Sequence, residues 1–206
     1  MTTLAPERSA ISRRRFLYAT TAAFAGASVL AASWPLFDQM NPDAVVRAVG
    51  DTVSVDLTEL RPGERRAISW HGVPIFIVRR TVEILAAMQD KTFVARLVDP
   101  DSERMQQPAY AKNWHRSIDP AYAVLVGICT YCRCVPQYLT DAGLGMAGGY
   151  ICPCCASHYD PAGRAYSAIA RYNLPVPPYV IENASTLLIG KNAFGESFRL
   201  DAVEQL

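Results

Sequence analysis

Cys129-Thr130-Tyr131-Cys132-Arg133-Cys134 and, after residues 135–151, Cys152-Pro153-Cys154-Cys155-Ala156-Ser157 contain all six cysteines of this 206-residue chain. Two thiol-bearing loops so close in sequence read as two fingers gripping one object. Gly145, Gly148 and Gly149 lie between them, and glycine reaches the positive φ values that fold such a connection back on itself. The motif Cys-x-x-Cys occurs twice, at Cys129/Cys132 and Cys152/Cys155. By spacing alone this is a four-thiolate metal site, most often a zinc site.

The flanking residues widen that reading. Val126-Gly127-Ile128-Cys129-Thr130, Cys134-Val135-Pro136, Cys152-Pro153-Cys154, Ser157-His158-Tyr159-Asp160 and Gly163-Arg164 closely resemble the Rieske iron–sulfur family. Within it they are most similar to the iron–sulfur subunits of bacterial ubiquinol–cytochrome c reductase. The likeness extends to Trp70-His71-Gly72-Val73-Pro74-Ile75-Phe76, Arg79-Arg80-Thr81, Leu97-Val98-Asp99-Pro100 and Asn173-Leu174-Pro175-Val176-Pro177-Pro178-Tyr179. The resemblance implies a mainly β chain: a Rieske fold of antiparallel sheets with a small inserted cluster-binding subdomain at about 126–175, plus one N-terminal transmembrane helix. It also implies a [2Fe–2S] cluster that takes one electron from ubiquinol and passes it to cytochrome c1, with cytochrome b as the membrane partner.

Carried over position by position, Cys129 and Cys152 match the thiolate ligands, and Cys134 and Cys154 match the disulfide. Ser157 and Tyr159 match residues whose hydroxyls donate hydrogen bonds to a bridging sulfide and a ligand sulfur, which raises the potential. The two imidazole ligands have no match, because Tyr131 and Cys155 occupy their places. Thiolates there would add about two negative charges beside iron. His-ligated centres lie at roughly −150 to +300 mV and all-Cys plant-type clusters at about −400 mV, so an all-thiolate centre accepts electrons from ubiquinol far less readily.

Three readings of the site stay open on sequence. Cys132 and Cys155 replace the histidines, giving metal ligands Cys129, Cys132, Cys152 and Cys155 around [2Fe–2S] or Zn2+; or the head binds nothing; or Tyr131 supplies an oxygen ligand. A zinc-bound or empty head would suit a structural or assembly protein. Arg133 and Ala156 stand where relatives usually carry glycine, and a side chain there is strained if φ must be positive. Ala168-Ile169-Ala170-Arg171 replaces the family's Gly-Pro-Ala-Pro, so the flap over the site is expected to be less rigid. His158 reads as structural, and His71 and His115 as surface or turn residues.

Ser12-Arg13-Arg14-Arg15-Phe16-Leu17 fits a twin-arginine export signal. The apolar run at 16–37 covers roughly 33 Å as a helix, enough to cross a bilayer. It is longer than the apolar region of about 7–15 residues in a cleaved signal, so a retained single-pass anchor is expected, with Trp34 near its far interface. Residues 1–15 form the signal's basic region, 38–50 a hinge or linker, and 51–206 the head. The head belongs in the periplasm of a bacterial inner membrane, where a disulfide persists.

Within the head, Val53-Ser54-Val55-Asp56-Leu57 alternates like a half-buried strand, and residues 73–78 form a β-branched apolar run. A helix is predicted from Thr81, its N-cap, to about Gln89, with Ile84, Leu85 and Met88 on one face. Residues 99–120 read as a loop-rich insertion, and Val124-Leu125-Val126-Gly127 as a strand entering the first finger. Thr186-Leu187-Leu188-Ile189-Gly190 and Ser197-Phe198-Arg199-Leu200 read as a closing strand pair. The net charge is +1, with no long basic block beyond the signal, which argues against a nucleic-acid partner. No phosphate loop or Ser/His/Asp arrangement offers hydrolytic catalysis.

Overall fold

The computed structural model describes residues 12–38, 52–140, 148–166 and 169–206. It divides into two units, Met1–Val49 and Gly50–Leu206. The hinge expected at 38–50 lies, apart from Asp38, outside the described residues.

The first unit contains helix α1, Arg13–Asp38. Its stretch Arg13–Pro35 has a mean hydropathy of 1.4 and none of it is buried, as a segment facing lipid requires. The hydroxyls of Thr21, Ser28 and Ser33 donate to the carbonyls of Leu17, Phe24 and Val29, four residues back. Each polar side chain is thereby satisfied within the helix, which removes the cost of carrying it into hydrocarbon.

Among the described residues, the second unit holds three antiparallel sheets of three strands each. In the first, β2 (Arg65–Trp70), β3 (Val73–Arg79) and β4 (Tyr122–Val126) pair in that order. Ile75, Phe76, Ile77, Val78 and residues 123–126 are all buried, so both faces of β3 and β4 are covered and these strands read as apolar runs. In the second sheet, β9 (Thr186–Ile189) lies between β1 (Val53–Asp56) and β8 (Tyr179–Glu182). The third is smaller: β5 (Gln137–Leu139), β6 (Gly149–Ile151) and β7 (His158–Tyr159).

Helix α2 spans Val82–Ala87, and Thr81 caps it by accepting from the Ile84 N–H. Ile84 and Met88 pack on Ala162 at the base of the second finger. A second short helix, α3 (Lys91–Val94), is capped by Asp90 and was not expected. Residues 99–120 form the expected loop, whose regular structure is one 3-10 turn at Ala109–Ala111.

The closing strand pair is corrected. Residues 186–189 are a strand, but Ser197–Leu200 is not. Both edges of β9 are already taken by β1 and β8, so no ladder position remains for the later segment. It is held instead by the Asn192 side-chain amide donating to the Phe198 carbonyl, and it runs into a 3-10 turn at Leu200–Ala202.

Candidate metal centre

The first finger leaves β4 and returns as β5, and the second connects β6 to β7. The exit from β4 is tight. A Cβ on Gly127 would sit 2.5 Å from the Phe76 ring, and that ring is stacked on Tyr150 of β6 at 5.7 Å. Glycine is therefore required where the chain turns from the main sheet into the finger.

Each finger closes on itself in the same way. In the first, the Cys129 N–H donates to the Cys134 carbonyl and the Arg133 N–H to the Cys129 carbonyl, at 2.8 and 2.9 Å. In the second, the Cys152 N–H donates to the Ser157 carbonyl and the Ala156 N–H to the Cys152 carbonyl, again at 2.8 and 2.9 Å. Arg133 and Ala156 occupy equivalent corners with φ of 61° and 54°. Both are left-handed positions that favour glycine, so the strain anticipated there is present.

A disulfide between Cys134 and Cys154 ties the fingers together. The other four cysteines are free, with Cys129 and Cys152 buried and Cys132 and Cys155 partly exposed. Their four sulfurs all lie within 4.8 Å of one another. Cys132 Sγ is 3.3 Å from both Cys152 Sγ and Cys155 Sγ, and Cys129 Sγ is 3.6 Å from Cys155 Sγ.

Hydroxyls surround this group. The Tyr159 hydroxyl is 3.2 Å from Cys129 Sγ and accepts the Thr130 N–H, while Thr130 Oγ1 contacts it at 3.1 Å and donates to the Tyr172 carbonyl. Ser157 Oγ lies 3.0 Å from Cys155 Sγ. Thr130 and Tyr172 were not singled out in the sequence, although Thr130 follows the first cysteine of the motif directly. Tyr131 is 62% exposed, and among the described residues no hydrogen bond joins its hydroxyl to the sulfurs.

Burial opposes ionisation of Cys129, but the Tyr159 hydroxyl and the backbone N–H groups of Cys132 and Tyr131 outweigh it, and the thiol falls to about 7. Burial pushes Cys152 up to about 12, and the neighbouring Cys132 thiol adds to the rise. Burial likewise raises Cys132. The cluster thus holds protons that a metal would displace on binding. Four soft sulfur donors with little room between them suit a thiophilic metal and no hard cation.

None of the three histidines joins the sulfurs. His158 lies in β7 opposite Ile151, and His71 sits at a left-handed turn with φ of 50°. His115 departs from the surface reading: it is half-buried, with Nδ1 2.8 Å from Ser117 Oγ. Burial, followed by the Arg80 charge, depresses its pKa to about 4.

Behind the second finger lies a buried ionic base that sequence reasoning missed. Asp160 accepts from the Arg164 guanidinium at 2.7 Å and from the Ala162 and Arg164 N–H groups, and Arg164 donates on to the Met88 carbonyl. Arg80 donates to the carbonyls of Pro161, Pro120 and His115. Arg116 reaches the Ala162 carbonyl and Gln107. The signal available was Asp160 and Arg164 flanking Gly163. The described part of the flap is held from the loop at 99–120, since Ala170 is buried and Arg104 donates to the Arg171 carbonyl; just after it, the Tyr172 carbonyl accepts from Thr130 of the first finger, and Asn173 accepts the Ala165 N–H and donates to the Asp99 carbonyl.

A chain with one apolar N-terminal helix and an antiparallel head that presents two thiol-bearing fingers has the parts of a membrane-anchored domain whose four free thiols could hold a metal. Residues 5–43 match the family model described as "Ubiquitinol-cytochrome C reductase Fe-S subunit TAT signal". The ubiquinol–cytochrome c reductase iron–sulfur subunit of Allochromatium vinosum is 40% identical over 186 residues, covering 87% of this chain and 89% of that protein. The subunit of the same name from Rhodospirillum rubrum is 40% identical over 181 residues, covering 87% and 92%. A chain of a hyperthermophilic respiratory complex III superposes with a TM-score of 0.44 at 20% identity, covering 82% of this chain and 98% of that one. The chain belongs to the family of ubiquinol–cytochrome c reductase iron–sulfur subunits.

Proposed function

We propose that this chain is a membrane-anchored electron-transfer subunit of a ubiquinol–cytochrome c reductase, with its head in the periplasm and its metal held by Cys129, Cys132, Cys152 and Cys155. The observation that carries this reading is the gathering of four free thiols within 4.8 Å, in a chain belonging to that family. Cytochrome b and cytochrome c1 are the partners, and ubiquinol is the electron source. Thiolate-bound iron supplies a one-electron couple.

The rest follows from the protein's own residues. The disulfide and the matched finger hydrogen bonds fix the sulfur positions before metal arrives, so little ordering remains at binding. The Tyr159 and Ser157 hydroxyls donate toward sulfur, which favours the electron-rich state and lifts the potential. No imidazole stands among the sulfurs, so none of the described residues is assigned to accept a proton from a quinol. The twin-arginine signal suits a head that folds around its metal before export, and α1 retains it at the membrane.

Potentiometry on the full-length protein in detergent tests this reading. It predicts a reversible one-electron couple of the bound metal. Metal-bearing protein with no reversible couple anywhere from about −700 to +450 mV, the span of protein iron–sulfur centres, would overturn it.

A further inference from the structure

We propose that the two fingers hold a single tetrahedral metal ion, iron or zinc, in place of the two-iron cluster implied by the family. This rests on the reading above that Cys129, Cys132, Cys152 and Cys155 are the ligands.

The fingers are near-copies. Cys129, Cys132, Arg133 and Cys134 correspond to Cys152, Cys155, Ala156 and Ser157 in backbone hydrogen bonding, and both corner residues have positive φ. Each finger therefore offers a Cys-x-x-Cys pair in one conformation, and two such pairs meeting face to face supply the four corners of one tetrahedron.

The sulfur separations decide between one ion and two. Around one ion with metal–sulfur bonds of about 2.3 Å, tetrahedral geometry places the sulfurs about 3.8 Å apart. The observed 3.3, 3.3 and 3.6 Å need only a small opening to reach that arrangement. In a two-iron cluster, thiolates on opposite irons are held apart by both metals and the bridging sulfides between them. The four cysteines can be divided between two irons in three ways, and each fails here. Pairing Cys129 with Cys152 leaves Cys132 and Cys152 at 3.3 Å across the cluster. Pairing Cys129 with Cys155 leaves Cys132 and Cys155 at 3.3 Å. Pairing Cys129 with Cys132 leaves all three short contacts crossing it. With every sulfur within 4.8 Å of the others, the space suits one ion.

The chemistry of the donors agrees, since four thiolates in a tetrahedron select zinc or iron among the available metals. Iron would keep the one-electron couple; zinc would make the head structural.

The test is the metal and acid-labile sulfide content of the full-length protein matured in its native host and purified in detergent, with X-ray absorption at the metal edge. The proposal predicts one metal per chain, no labile sulfide, four sulfur neighbours at about 2.3 Å and no metal–metal scattering. Two irons with two sulfides per chain would overturn it and leave the electron-transfer reading standing. One zinc would uphold it and overturn that reading, while one iron would uphold both. Protein with no metal would overturn both. Cys132→Ser and Cys155→Ser supply an independent arm, each expected to lower metal retention at least tenfold; unchanged retention in both would count against the proposal.

Discussion

Tyr159, directly after the second finger, reaches the first: its hydroxyl touches Cys129 Sγ and both the N–H and the hydroxyl of Thr130. Tyr159→Phe removes a donor that favours the reduced centre, so the potential should fall on the order of tens of millivolts, where 59 mV is tenfold for one electron. Potentiometry of the variant checks this, and an unchanged or raised potential would contradict the role given to the hydroxyl. Arg133 and Ala156 make the opposite kind of prediction. Both carry a side chain at positive φ, so Arg133→Gly and Ala156→Gly should each stabilise the head by about 1 kcal/mol, read as a higher denaturant midpoint with metal retained. His115 gives the pH dependence. Its folded pKa of about 4 lies below its unfolded value of about 6.5, so the unfolded state binds the proton first on acidification. Stability from this residue is intact above about pH 6.5 and declines as pH falls toward 4. His115→Gln should flatten the midpoint's decline over that interval.

Among the elements, the passage from β4 into the first finger leaves no room for a Cβ at Gly127. Gly127→Ala would drive a methyl group into the Phe76 ring, a ring stacked on Tyr150 and faced by the Arg65 guanidinium. The expected loss is about 1–3 kcal/mol by overpacking, read by denaturant unfolding, together with weaker metal retention because the finger is displaced. At this scale the sequence was legible wherever local chemistry alone sets the structure. Val53-Ser54-Val55-Asp56 alternates, and Val73–Arg79 is an apolar run that became a central strand. Thr81 caps α2 because a hydroxyl was available three residues before a free N–H. What could not be read depended on distant partners. The four residues at 197–200 resemble a strand, yet β1 from the far end of the head had already taken the free edge of β9. The ionic base under the second finger was hidden for the same reason: Arg80, Arg116 and Arg164 meet only in the fold. At the site, the two Cys-x-x-Cys pairs showed a four-thiol arrangement from spacing, and the disulfide partners came from the family resemblance. The inward reach of Thr130 and the closeness of all four sulfurs needed the structure.

For the whole molecule, a 26-residue helix that opens with Arg13-Arg14-Arg15 and continues as an apolar run, together with a head able to hold a metal, fits the proposed logic: fold around the metal first, cross the membrane folded, and remain attached to it. The departure that bears on the site lies at Tyr131 and Cys155, where the family resemblance implies imidazoles. Everything functional in this account depends on Cys132 and Cys155 being ligands, because they alone separate a working site from an inherited scaffold. The most direct measurement is the metal content per chain of Cys132→Ser, Cys155→Ser and Tyr131→Phe beside the unaltered protein, each purified full-length from the native host. Both serine variants are expected to lose their metal while Tyr131→Phe keeps it; metal retained in both serine variants, or lost on changing Tyr131, would rule out Cys132 and Cys155 as the ligands.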